Sequence, residues 1–397
     1  MRTDDVLTDP SFQADPHPVY AEWRRAGGVR RVTLPNGVPV WMVSDYEEAR
    51  RALADPRLSK AVPGGPDVPG DFHRAISKHM LLADPPDHTR LRRLVSATFT
   101  ARRIEALRPR IERITDDLLD AMAAHDRVDL IDAFAFPLPI QVICELLGIP
   151  PGDRDDFRAW STAIVGAAYS SDERSGAVPE MVTYIRALIA ERRRAPGEDL
   201  LSGLIQVRDD EDRLSEDELS SMVFLLLIAG HETTVNLIGN GVQILLEDRS
   251  RWERLRADPD LLPAAIEEFL RYEGPVQVAT FRMATESFEI GGETIAQGDV
   301  VLVALLAANR DEQRFPAADE VVLDRAQNPH LAFGHGIHFC LGAALARLEA
   351  QVAFTRLMAR FPDLCAGETE PSWRPGLLIR GLTELPVRPH GPGSGPR

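Results

Sequence analysis

Of three cysteines in 397 residues, one, Cys340, stands in the stretch FGHGIHFCLG between Phe333 and Gly342. After it, Leu341, Leu345, Leu348 and Val352 recur at helical spacing, so the cysteine lies at the N-terminus of an amphipathic helix. Unpaired amides and the helix dipole favour negative charge there, which stabilises a thiolate. Gly336 and Gly342 permit backbone paths or close approaches that a Cβ would block. A thiolate so placed has three chemical uses. Structural zinc requires further ligands, yet no second cysteine stands at C-x-x-C spacing and His335 and His338 complete no zinc pattern. A nucleophile requires a histidine base; His338 is close in sequence, but the local protease signatures are missing. An axial ligand to haem iron requires a single sulfur. The plain alternative, a buried structural cysteine, suits Cys144 in IQVICELLG, and more weakly Cys365.

A second group of reactive side chains interrupts an apolar segment. Ser215 and Glu218 form an S-x-x-E capping box that opens a helix running to about Glu247. Its middle, FLLLIAGHETTVNLIG, has flanks that are apolar all round and therefore buried, but it carries Glu232, Thr233 and Thr234. A buried carboxylate is costly unless paired, and threonine can bond back to the preceding turn and loosen the helix. Ala229 and Gly230 are small enough for a flat ligand to approach the backbone. The stretch is either a polar stripe or capped kink, or a site where oxygen binds and protons are delivered. Glu268 and Arg271 share a helix face at i, i+3, a pairing worth little if exposed. His88 and Arg92 share a face at i, i+4. Arg282 is a cation in the apolar strand candidate TFRMAT.

The elements that must hold these residues are mostly helical. From His88 to about Arg194 the pattern is helical, with breaks at PLP, GIPPGD and RAPGED. LLPAAIEEFLRY predicts a helix stopped at Gly274-Pro275. Strands are predicted at VPVWMV and between Phe281 and Leu306, with a Gly-Gly hairpin turn in FEIGGETI and a buried strand VVLVALL. Lys60 to Gly70 is a loop, either a plain connection or a flap over a pocket. The tail RPHGPGSGPR, 388–397, is expected to be disordered. The fold class is mainly α with small β-sheets (α+β), in one domain over residues 1–397. A formal net charge of -16 disfavours nucleic acid and anionic lipid as partners. The first residues lack the apolar core of a secretory signal, and the longest apolar run, MVFLLLIAG, is too short to span a bilayer. With an odd cysteine count, these features predict a cytoplasmic protein and no membrane.

FGHGIHFCLG closely resembles the cysteine loop of the haem-thiolate monooxygenases, the cytochrome P450 family. Phe333, Gly336, His338, Cys340 and Gly342 match its pattern F-x-x-G-x-H-x-C-x-G. AGHETT is similar to the family's oxygen-site signature, E-x-x-R at Glu268 and Arg271 to its buried helix motif, and DPPDHTRLRR to its H-x-x-x-R propionate motif, all in the family's order. The resemblance implies the cytochrome P450 fold, with haem b between a long central helix and the helix after the cysteine. It implies Cys340 as axial thiolate, with Phe333, Gly342 and Ala229 against the haem and His88, Arg92, Arg282 and His338 on its propionates. Thr233 is implied as the alcohol at the dioxygen site and Glu232 as its acidic partner in proton delivery. Arg325, in VVLDR, is implied as the third member of a structural network with Glu268 and Arg271.

Pocket residues follow from the resemblance alone: Ala229, Val276, Val278 and Ile379, with the stretches Lys60–Leu82 and Gly166–Tyr184. The implied activity is insertion of one oxygen atom of O2 into a C–H bond of a hydrophobic natural product, by hydroxylation or epoxidation. A polyketide macrolide is the preferred substrate, since the motif spellings are most similar to actinobacterial enzymes of antibiotic biosynthesis. Oxidative coupling of a peptide or aromatic substrate, a haem-thiolate sensor without turnover, and a haem-free cysteine hydrolase are the alternatives. No G-x-G-x-x-G follows a strand, so electrons from NAD(P)H are expected through a ferredoxin and its reductase, docking on a monomer at Arg90, Arg93, Arg102 and Arg103.

Overall fold

The computed structural model describes residues 6–61, 71–153, 156–157, 159–160, 163–164, 171–206 and 213–391. Most of the Lys60–Gly70 loop, the start of the Gly166–Tyr184 stretch and the last residues of the tail lie outside these. The chain forms two compact units, one of residues 1–59, 115–136 and 233–397, the other of residues 60–114 and 137–232. Four helices carry the residues of interest: α1 (Asp87–Ser96), α2 (Glu216–Glu247), α3 (Leu262–Tyr272) and α4 (Ala343–Arg360).

The predicted capping box forms. The Glu218 amide donates to Ser215 Oγ at 3.3 Å and the Ser215 amide to Glu218 Oε2 at 2.8 Å, satisfying two of the amides a helix start leaves open. From there α2 is long and apolar enough to cross a membrane, but 72% of its apolar window is buried inside the protein, the pattern of a core helix. α3 ends at Tyr272 with Glu273 as its C-cap, and the close passage that follows needs glycine: a Cβ at Gly274 would lie 2.4 Å from the Leu270 carbonyl oxygen.

The first unit holds a five-stranded mixed sheet, built from β1 (Val29–Thr33), β2 (Pro39–Val43), β3 (Leu58–Ser59), β4 (Arg282–Ala284) and β5 (Val300–Val303) in the order β1-β2-β5-β4-β3. β2 and β5 run parallel, Trp41 opposite Val301, while the other neighbours are antiparallel. Alternate residues serve two cores: Val43, Val301 and Val303 pack with Leu53 and Phe315, whereas Met42 and Leu302 pack with Phe12, Tyr20 and Trp23. Both faces are thus covered, which explains an unbroken apolar run where a one-sided strand would alternate. The FEIGGETI hairpin turns at Gly291 and Gly292, φ 56° and 82°, as a two-residue turn requires.

VVLVALL is strand only as far as Val303. The Ala304 amide donates to the Val43 carbonyl at 2.8 Å, the Ala308 amide turns back to Ala304 at 3.0 Å, and Leu305–Ala308 is helical. A short apolar run reads alike as buried strand or buried helix.

Candidate active site around Cys340

The loop Phe333–Gly342 is closed by the Cys340 amide, which donates to the Phe333 carbonyl at 2.9 Å. Gly336 carries φ 74°, and a Cβ there would lie 3.0 Å from the Leu53 carbonyl oxygen, so this position needs glycine twice over. Gly342 does not: its φ is -81°, and a Cβ would sit in ordinary contact, 3.9 Å from Cys340 Sγ. Gly342 is the N-cap of α4, so Cys340 stands two residues ahead of the cap rather than inside the first turn.

Of the cysteines, Cys144 is buried, Cys365 half-buried and Cys340 exposed. Around Cys340, Ile337 is 47% and Phe339 40% exposed. Among the described residues no three His, Cys, Asp or Glu side chains converge where they could hold a metal ion. The donor set is therefore one soft sulfur among accessible apolar side chains. That chemistry fits an iron porphyrin, which needs a single protein sulfur and apolar walls; a structural zinc needs more protein ligands. In the same unit Phe333 and His338 are half-buried, and Arg282 on β4 is 4% exposed. In the other unit His88 is buried and Arg92 half-buried on one face of α1.

Along α2, Glu232 is buried and Thr233 half-buried, while Ala229, one turn before Thr233, is exposed. Ala229 and Thr233 therefore form an open strip one turn long, with half-buried Ile228 and Gly230 beside it. His231 Nδ1 donates to the Leu227 carbonyl at 2.7 Å, leaving Nε2 turned toward Glu232 Oε2 at 3.8 Å. Gly230 does not serve ligand approach: a Cβ there would meet Ile143 Cδ1 at 3.0 Å, so the glycine lets α2 pack closely on that residue.

Glu268, Arg271 and Arg325 meet in one network. Glu268 Oε1 accepts from Arg271 Nη2 at 2.8 Å, the Val322 amide at 2.8 Å and Arg325 Nη2 at 3.2 Å. Oε2 accepts from Arg271 Nε at 2.8 Å, Arg325 Nε at 3.0 Å and Asn328 Nδ2 at 3.1 Å. Burial opposes ionisation of Glu268, but the two guanidinium groups outweigh it and lower its pKa. Arg271 also donates to the carbonyls of Asn309, Ala318 and Glu320. Asn309 in turn accepts the Leu331 amide at 2.6 Å, two residues before Phe333. The network thus braces the chain leading into the cysteine loop. Asn309 and Asn328 were not legible as its members.

Two pocket candidates, Val276 and Ile379, are paired by an antiparallel bridge. The Gln277 amide donates to the Leu378 carbonyl and the Arg380 amide to the Pro275 carbonyl, both at 2.9 Å. Asn240 Nδ2, on α2, donates to the carbonyls of Glu273 and Arg380 at 3.0 and 3.1 Å. Val278 is 2% exposed and packs in the core with Phe12, Tyr20 and Trp23. Glu273, also missed by the sequence reading, accepts from His17 and Arg380 at 2.8 Å and from Arg310 at 3.1 Å. Burial alone would raise its pKa; these partners hold it well below the usual carboxylate range. Of the arginines expected to dock a partner, Arg90 is committed to an ion pair with Glu218 and Arg103 donates to the Thr98 carbonyl at 3.5 Å. Arg93 and Arg102 are exposed.

A mostly helical fold with an exposed cysteine just ahead of a helix suits a haem-thiolate protein. The comparisons agree. The family model of cytochrome P450 matches residues 171–379. Cytochrome P450 107B1 of Saccharopolyspora erythraea is 51% identical over 97% of this chain and 98% of its own. Polyketide biosynthesis cytochrome P450 PksS of Bacillus subtilis is 40% identical over 95% of this chain and 96% of its own. The tirandamycin C-bound P450 monooxygenase TamI superposes with a TM-score of 0.89 at 49% identity, covering 96% of this chain and 98% of that one.

The chain belongs to the cytochrome P450 family, with its fold, and is a P450 monooxygenase. The family carries haem b on a cysteine thiolate, uses O2, and receives NAD(P)H-derived electrons through redox partners.

Proposed function

We propose that this protein hydroxylates a hydrophobic polyketide, most simply a macrolide or its precursor, inserting one oxygen atom of O2 into a C–H bond. The observation that carries the reading is the accessible Cys340 thiol ahead of α4. Haem bound there would supply the activation of O2, a chemistry that belongs to the cofactor. The chain's part is to hold, orient and protonate. Cys340 would give its sulfur to the iron, Arg282 and His338 would take propionate charge, and His88 and Arg92 are the further propionate candidates that the family resemblance names.

On α2, Ala229 leaves room and Thr233 offers a hydroxyl from the open strip. Glu232, buried one position earlier and so about 100° around the helix, would be the acidic partner of Thr233 in proton delivery. Val276 and Ile379 would line the substrate side as a bonded pair. The polyketide class is supported by relatives whose names carry polyketide biosynthesis and bound tirandamycin C. Electrons would come from a ferredoxin and its reductase, met by exposed Arg93 and Arg102, on a cytoplasmic monomer.

The test begins with the reduced holoenzyme under carbon monoxide. The red-shifted Soret band of thiolate ligation is expected, and Cys340→Ser should abolish it; a wild-type protein without that band overturns the ligand assignment. Thr233→Ala should keep the band while product formed per NADPH falls about tenfold or more, since a positioned proton donor contributes about 10²–10⁴-fold. Unchanged coupling would remove Thr233 from the mechanism. Haem spectral shifts across polyketide lactones, terpenoids and fatty acids test the substrate class, and a response confined to the last two overturns it.

A further inference from the structure

Glu267 precedes Glu268 on α3, and successive helix positions point about 100° apart. While Glu268 enters the buried network, Glu267 reaches α4. It accepts from Arg347 Nε at 2.6 Å and Nη2 at 2.7 Å, and from His330 Nε2 at 2.9 Å. His330 Nδ1 accepts the Ala332 amide at 3.2 Å, so Nε2 is the ring nitrogen that donates to Glu267. Burial pulls the Glu267 pKa up, but bonds from Arg347 and His330 outweigh it and hold it at about 2, so the pair is ionised at neutral pH. The Arg347 guanidinium lies over the Phe333 ring, 4.5 Å from its centroid. Phe333 is the residue whose carbonyl takes the Cys340 amide, and Arg347 is within electrostatic reach of Cys340 itself.

We infer that Glu267 and Arg347 form a positioning and charge-balancing pair for the Cys340 thiolate: Arg347 seats the Phe333 ring, and Glu267 cancels the guanidinium charge that would otherwise draw density from the sulfur. The inference rests on Cys340 being the iron ligand. Its consequence has a sign. An uncompensated cation beside the ligand favours the reduced state, and an uncompensated anion disfavours it. Glu267→Gln removes the anion and should raise the midpoint potential of the haem. Arg347→Gln removes the cation and should lower it. The double variant should return close to wild type, and Arg347→Lys, which keeps charge but loses the planar fork, should stay closer to wild type than Arg347→Gln.

The experiment is a spectroelectrochemical titration of each holoenzyme, with the carbon monoxide spectrum recorded beside it. Opposite shifts of at least threefold in the reduced-to-oxidised ratio are expected, about 28 mV for a one-electron couple. If the red-shifted Soret band is missing from the wild type, the ligand reading has failed. If the band is present but both single variants shift the same way, or neither shifts by twofold, the pair only packs α3 against α4 and the inference is overturned.

Discussion

Replacing Glu268 by glutamine changes almost no volume but removes the charge at the centre of the buried network. Each carboxylate oxygen accepts three hydrogen bonds, Oε1 from Arg271 Nη2, Val322 N and Arg325 Nη2, Oε2 from Arg271 Nε, Arg325 Nε and Asn328 Nδ2. Whichever oxygen becomes the amide NH2, three donors then face a donor. Glu268 and Arg271 have fully buried side chains and Arg325 is 8% exposed, so water cannot fill the deficit. Breaking a buried ion pair from one side costs about 3–5 kcal/mol, a large part of the roughly 5–15 kcal/mol that holds a domain folded. Equilibrium urea unfolding of the holoenzyme, followed by far-UV circular dichroism, should show the midpoint falling by that loss divided by the slope, with the slope itself unchanged. The exposed pair Arg254–Asp324, 2.6 Å apart with side chains 47% and 51% exposed, is the control, and Arg254→Gln should cost less than about 1 kcal/mol. If Glu268→Gln unfolds within about 1 kcal/mol of wild type, the network is not the brace described above.

Glu349 on α4 is 1% exposed with Oε2 lacking a hydrogen-bond partner, and burial pushes its carboxyl well above the usual range. A raised folded-state pKa means stability that is complete below the unfolded value and lost as pH climbs through the folded one. Glu349→Gln should therefore be the more stable protein near pH 7 and lose that advantage near pH 4; urea midpoints at the two pH values decide it. Gly381→Ala would place a Cβ 1.7 Å from Asn236 Oδ1, and should cost about 1–3 kcal/mol of overpacking in the same assay. Ser215→Ala removes one half of the capping box and should cost about 1 kcal/mol, seen as a lower thermal midpoint with the haem spectrum unaltered.

Local chemistry was legible. The start of α2 was readable because a capping box is a contact between residues three apart, and the stop of α3 because glycine and proline act on their own backbone. The cysteine loop was readable because its glycines, histidine and cysteine lie in one short stretch. Glu268, Arg271 and Arg325 were reached through motif order, since nothing local says that an i, i+3 pair is buried. What stayed hidden was decided at long range. Arg347 meets Glu267 across 80 positions, Asn328 meets Glu268 across 60, and Leu331 meets Asn309 across 22, separations over which no periodicity speaks. Val278 was named from the family resemblance alone, which carries no information on how this side chain packs with Phe12, Tyr20 and Trp23. Gly230 misled because a small residue in a buried helix serves a neighbouring side chain as readily as a ligand.

The carboxamide of Asn240 grips two separate stretches of chain at once, at Glu273 and Arg380, just where Val276 and Ile379 are tied edge to edge. Those two positions therefore behave as panels mounted in a stiff frame. On the proposal that both line the substrate pocket, exchanging the panels one side chain at a time is expected to redirect substrate preference while the frame stays still. A change that loosened the frame would blur selectivity for every substrate rather than redirect it toward a new one.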